Sequence, residues 1–206
     1  MTAKIRWAAL AFALLASAPA RADWQEASSN HFVVYADATS GQLQRFASNL
    51  ERYHSALTLV TGRTDPAPSP SNRVTVYVVG SVEQVRKLYG DKEAARYIGG
   101  FYVPRAGGTL AIVPEISTAT NSNDDYALQT LLHEYAHHFL IASSTFPLPR
   151  WANEGGAEFF ASAGFQTDGG MSIGRPNAAR LIEMQYYEPV PVTQLVDPAA
   201  FKAGKG

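Results

Sequence analysis

The stretch HEYAHH, residues 133–138, holds three of the five histidines of this 206-residue chain. On a helix, His133 and His137 project from one face, so that their imidazoles can share one metal ion. Glu134, beside the first of them, can take a proton from a metal-bound water, as in the HExxH motif. His138 lies about 100° further around the helix and is not expected to join. The alternative is a helix whose histidines face solvent or satisfied partners.

A zinc site of this kind needs a third protein ligand and one open position for water. The segment PRWANEGGAEFF, residues 149–160, offers Glu154 and Glu158, which share one face of the next predicted helix. Sixteen residues separate Glu154 from His137, enough for a turn that folds this helix back. Two carboxylates against an apolar helix pair are costly to bury unless a cation or donors meet them. The alternative is that both carboxylates are solvated.

LLHEYAHHFL followed by PRWANEGGAEFF resembles the thermolysin-type gluzincin clan, and most closely its bacterial peptidase-like proteins with HExxH and then W-x-N-E-G-x-A-E. The resemblance covers residues 130–160. It implies a zincin-like domain with an HExxH helix and a following zinc-ligand helix. One Zn²⁺ per chain would be held by His133, His137 and Glu154, with Glu134 as general base. The implied function is that of a zinc-dependent metallopeptidase acting on a peptide or protein substrate.

The resemblance also implies roles outside the metal ligands. Glu158, four residues beyond the third ligand, would orient His133, in keeping with the rule that a ligating histidine donates its other N–H to a carboxylate or carbonyl. These enzymes usually add a Tyr or His that stabilises the oxyanion, but only Tyr186 and Tyr187 follow Glu158, and we assign the role to neither. GTLAIVP, residues 108–114, occupies the place in order of the edge strand that pairs with an extended substrate in resembling folds. The alternative is an ordinary core or edge strand.

Relatives of this pattern generally continue into further helices after the second zinc helix. Here only residues 164–206 follow, so we expect either a truncated form of a longer protein or a member with a small second lobe. The alternative function is that of a non-catalytic exported protein that keeps the zincin scaffold for binding or for a structural zinc.

The elements that must position these residues can be read from periodicity and turn signals. Strands are predicted at 31–37, 73–80, 99–104 and 108–114, with a tight turn at RAGG between the last two and a short strand near 168–177. Helices are predicted at 42–61, 81–89, 124–142, 151–163 and 177–187. This order predicts one α+β domain with a mixed or antiparallel sheet, over residues 23–206.

Residues 1–22 have the features of a signal peptide. Lys4 and Arg6 precede the apolar run WAALAFALLASA, and Ala20-Arg21-Ala22 offers a small-x-small cleavage site. The run is too short for a good membrane span. We therefore expect an exported protein, periplasmic or secreted, that is not stably inserted in a membrane after cleavage.

Composition narrows the chemistry further. The chain has no cysteine, so neither a disulfide nor a thiolate metal site can form, and a metal must be held by histidines and carboxylates. Its formal charge of −1 becomes −4 without the three basic residues of the predicted signal peptide. With no basic patch along the chain, nucleic-acid binding is not expected. Oligomeric state is not predicted.

Overall fold

The fold is given by a computed structural model that describes residues 23–63, 68–91, 93–105, 108–188, 190–197 and 199. The predicted signal peptide, residues 1–22, lies outside the described residues, as do Ala106 and Gly107 of the predicted tight turn. Within the part of the chain that is described, no helix combines the length and the apolar character needed to cross a bilayer.

A five-stranded mixed sheet forms the centre of the molecule. Its strands are β1 (Gln25–Ser28), β2 (Phe32–Ala36), β3 (Val74–Val78), β4 (Phe101–Val103) and β5 (Leu110–Val113). They lie in the order β1-β2-β3-β5-β4, with β2, β3 and β5 parallel and the two edge strands antiparallel to their neighbours. The α+β class with a mixed sheet is as predicted.

Six α-helices and a small hairpin complete the described structure. The helices are α1 (Ser40–Thr61), α2 (Val82–Tyr89), α3 (Tyr126–Ala142), α4 (Arg150–Ala161), α5 (Ala178–Tyr186) and α6 (Val192–Val196), and the hairpin consists of β6 (Gly164–Phe165) and β7 (Met171–Ser172). The five predicted helices are confirmed to within three residues at each end. Strands β1 and β6 and helix α6 were not predicted.

Local sequence explains where the long helices begin and end. Thr39 and Gln42 form a capping box at the start of α1, and Gly62, with φ of 62°, adopts the left-handed conformation that ends it. The Asp125 side chain accepts a hydrogen bond from the backbone N–H of Leu128 at 2.9 Å and caps α3. The helix that carries HEYAHH is therefore fixed at its first turn by its own sequence.

The hydrophobic core lies between one face of the sheet and helices α1, α3 and α4. Alternate residues of β2 enter this core, where Phe32, Val34 and Ala36 are almost fully buried. From α3, Leu132 and Phe139 are fully buried against it. Because α3 is anchored through its apolar face, its opposite face is left for polar side chains.

The prediction that residues 108–114 form the sheet edge is wrong. Strand β5 within this segment pairs with β3 on one side and with β4 on the other, so its backbone hydrogen bonds are taken. The hairpin partner β4 is the edge strand instead. Periodicity identified both strands, but lateral order depends on long-range pairing that a local pattern does not contain.

Candidate metal centre

His133 and His137 lie one turn apart on α3 and turn their rings toward each other. The ring planes meet at 85° with centroids 4.6 Å apart, and the two Nε2 atoms are separated by 3.0 Å. Both side chains are about four-fifths buried. Two imidazole nitrogens thus converge on one point at the surface of the helix, as the i, i+4 spacing predicts.

Glu154 of α4 reaches the same point. Its Oε2 atom is 3.3 Å from His137 Nε2 and 3.8 Å from His133 Nε2. The two Nε2 atoms are 3.0 Å apart, so the three atoms form a small triangle. The centre of the circle through them is about 2.0 Å from each atom, which is the length of a bond from zinc to an imidazole or carboxylate ligand. The three atoms are therefore close enough together to share one metal ion.

This group stands apart from the other polar clusters of the described structure. Its ligand atoms lie within 4.8 Å of one another, and no other set of three His, Asp or Glu side chains in the described ranges meets that condition. The Glu154 side chain is half exposed. The group therefore lies at the surface and is not enclosed by protein on the Glu154 side.

The approach of α4 to α3 sets the position of Glu154. At Gly156 an added Cβ would lie 2.9 Å from Leu140 Cδ1, so glycine permits the close packing of the two helices. At Gly155, on the other side of α4, no atom lies within 4 Å of an added Cβ. Further along, the buried Ser122 hydroxyl donates to the carbonyl oxygens of Ala161 and Ala163, tying the entry of α3 to the end of α4.

These two adjacent glycines give a matched test of helix spacing. Gly155→Ala should stabilise the protein by about 0.5–1 kcal/mol, because alanine has the higher helix propensity and the space is open. Gly156→Ala must displace the buried Leu140 side chain, and this overpacking should make it about 1 kcal/mol less stable than Gly155→Ala. Urea denaturation measures both free energies of unfolding. Equal stabilities would show that α3 and α4 do not depend on this contact.

Helix α1 supports α3 from the core side. The fully buried Tyr53 hydroxyl donates to the Leu132 carbonyl oxygen at 3.0 Å, and His54 Nδ1 lies 2.7 Å from the Tyr135 hydroxyl. Burial raises the pKa of Tyr53 well above its usual value, so the hydroxyl remains a donor. The first contact ties α1 to the backbone of α3 at the residue before His133, and the second ties it to the Tyr135 side chain.

The electrostatic environment of His133 favours the form that binds metal. Burial lowers its pKa, and the neighbouring His137 lowers it further, while Glu158, Glu134 and Glu154 act in the opposite direction. A lowered pKa keeps the imidazole neutral, with a lone pair available for coordination, at neutral pH.

Glu158 lies beside His133, as predicted, but does not form a hydrogen bond with it. Its Oε1 atom is 3.8 Å from His133 Nδ1, beyond hydrogen-bond range. The same oxygen accepts a 2.6 Å hydrogen bond from Arg180 Nη2 of α5. The Nδ1 atom of His137 is buried without a hydrogen-bond partner among the described residues. Sequence reasoning missed Arg180, because a single arginine on a short helix carries no motif.

The remaining histidine and tyrosine side chains lie outside this group. His138 packs its ring against Tyr102 and Tyr135, with centroids 6.2 and 5.9 Å away, and does not belong to the group formed by His133, His137 and Glu154. Tyr186 and Tyr187 are 79% and 73% exposed. Tyr102 of β4 is close enough to Glu134 that, after burial, the charge of this glutamate contributes to raising the Tyr102 pKa. The edge strand thus adjoins the α3 face that carries Glu134.

Comparison with known proteins adds no assignment at this point. No protein-family model matches the chain, and no curated protein matches it significantly.

Proposed function

We propose that this chain is an exported zinc-dependent metallopeptidase of the gluzincin type, with a zincin-like fold. The supporting observation is the convergence of His133 Nε2, His137 Nε2 and Glu154 Oε2 on one point at zinc-bond distance. Glu134 follows the first of these residues directly on α3. Three protein ligands, a half-exposed side and an adjacent carboxylate together favour catalysis over a purely structural metal site.

Each residue has a distinct task in the proposed reaction. When bound, zinc supplies a Lewis acid that lowers the pKa of water to about 7 and stabilises charge on the scissile carbonyl oxygen. His133, His137 and Glu154 hold the ion. The Glu134 carboxylate accepts a proton from the attacking water and then delivers it to the nitrogen of the departing amine. A C–O bond forms from the attacking water and the C–N bond of the amide breaks. One water proton reaches the amine nitrogen through Glu134, and the other leaves with the carboxylic acid product.

The proposed reaction can be tested without knowing the natural substrate. A diverse peptide mixture is incubated with the purified exported protein, and new termini are identified by mass spectrometry. We expect cleavage that stops when 1,10-phenanthroline removes the metal and returns when ZnCl₂ is added in excess. Protein that holds one zinc ion per chain and cleaves no peptide would contradict the proposed activity.

One observation favours a second candidate, a zinc-binding protein of this fold without catalysis. Tyr186 and Tyr187 were the available oxyanion donors after Glu158, and both side chains are mostly exposed. A donor that stabilises a developing oxyanion must be held in place before the reaction. Retention of zinc without hydrolysis in the same peptide experiment would support this candidate.

A further inference from the structure

The Glu158 carboxylate lies near two possible hydrogen-bond donors, and the distances show which of them it binds. Oε1 is 2.6 Å from Arg180 Nη2 and 3.8 Å from His133 Nδ1. The first is a short charge-assisted hydrogen bond, and the second is too long to be a hydrogen bond. The carboxylate expected to orient the metal-binding histidine is therefore engaged by an arginine from another helix.

Arg180 is itself held in place by two carboxylates. Its Nη1 atom donates to Glu183 Oε2 at 2.9 Å, one turn along α5, and its Nη2 atom donates to Glu158 Oε1. The hydrogen bonds of Glu183 and Glu158 both raise the pKa of Arg180, so it remains charged. The Arg180–Glu158 pair therefore joins α5 to α4 at the surface.

We infer that Arg180 is a positioning residue that holds Glu158 away from His133 and thereby weakens the metal site. This inference rests on the metal centre of the proposed function, not on peptide cleavage. An imidazole that donates its Nδ1–H to a free carboxylate is a more basic metal ligand. A carboxylate already neutralised by a guanidinium is a weaker acceptor, so its engagement by Arg180 lowers the affinity of His133 for the ion.

The inference predicts opposite effects at the two ends of the Arg180–Glu158 pair. Arg180→Gln frees the carboxylate, so zinc should bind about three- to tenfold more tightly, a fraction of the 10–100-fold effect of such supporting partners. Glu158→Gln keeps an acceptor oxygen but removes the negative charge. Because this carboxylate makes no hydrogen bond to His133 in the wild type, zinc binding should weaken by only about two- to threefold, well below the effect of losing an engaged partner. A purely structural role for Arg180 would instead loosen α5 and leave zinc binding unchanged or weaker.

The measurement is the zinc dissociation constant of the full chain, obtained by competition with a chromophoric chelator. Lys87→Gln is the matched control: it removes one positive charge from an exposed position on α2, outside the α3–α4 pair, and should change zinc affinity less than twofold. In the Glu158→Gln background, Arg180→Gln should have no further effect, because Arg180 acts through that carboxylate. If Arg180→Gln raised zinc affinity equally in that background, Arg180 would act by direct repulsion of the zinc ion, and the inference would be overturned.

Three further outcomes are decisive. Unchanged or weaker zinc binding by a folded Arg180→Gln protein overturns the inference alone. If circular dichroism shows that the Arg180→Gln protein has lost helix, Arg180→Lys is measured instead. Lysine lacks the bidentate geometry of arginine, so its zinc affinity should lie between that of the wild type and the higher affinity expected for Arg180→Gln. Wild-type protein that binds no zinc overturns both the inference and the proposed function, whereas zinc binding without peptide cleavage overturns only the peptidase proposal.

Discussion

Glu134→Gln should reduce peptide hydrolysis by about 10²–10⁴-fold while leaving one zinc ion bound per chain. Glutamine is nearly the same size as glutamate but cannot accept a proton from the attacking water. His133, His137 and Glu154 remain, so the metal stays in place. We therefore expect that peptide hydrolysis is lost while zinc binding is kept. A variant that failed to fold would lose both.

This split is measured by kcat/KM on a peptide substrate together with the zinc content of the same sample. Glu83→Gln is the matched control, because Glu83 lies in the first turn of α2, is exposed and is far from HEYAHH in the chain. It should retain wild-type activity. Full activity of the Glu134→Gln protein would exclude Glu134 as the general base.

His133→Ala should abolish zinc binding at stoichiometric concentrations. The remaining imidazole and carboxylate form a two-ligand site, which binds zinc far less tightly than the three-ligand set. In the wild type, zinc at 100 times its dissociation constant should stabilise the fold by about 2.7 kcal/mol, because the ion binds the folded chain. The variant should show no such stabilisation.

Metal analysis and thermal unfolding with and without zinc provide the readouts. His138→Ala is the matched control from the adjacent position, since His138 packs against Tyr102 and Tyr135 and is not part of the ligand group. We expect it to retain one zinc ion per chain. Comparable loss of zinc from both variants would mean that HEYAHH does not bind metal through the i, i+4 pair.

Features set by local sequence could be predicted well. The spacing of His133 and His137 requires only that α3 be helical, and the structure turns both rings to one point. The N-terminal cap at Ser81 and the C-terminal Gly62 are short-range signals, and the helices they bound are confirmed. Glu154 was found because its segment resembles a motif whose order along the chain implies a folded-back helix.

Features set by long-range contacts could not be predicted. Strand β1 is four residues long and its sequence, QEAS, has no strand-forming pattern, so that pairing with β2 decides its conformation. The interior position of β5 follows from its pairing on both sides. Arg180 meets Glu158 across 22 residues of chain, and nothing in either local sequence indicates the contact.

The most direct test of the central claim is a crystal structure of the zinc-loaded protein with anomalous data collected at the zinc edge. The account predicts one strong anomalous peak per chain, bonded at about 2.0–2.2 Å to Nε2 of His133, Nε2 of His137 and a carboxylate oxygen of Glu154. A peak that Glu154 does not reach, with its side chain turned to solvent, or no peak near α3 at saturating zinc, would contradict it.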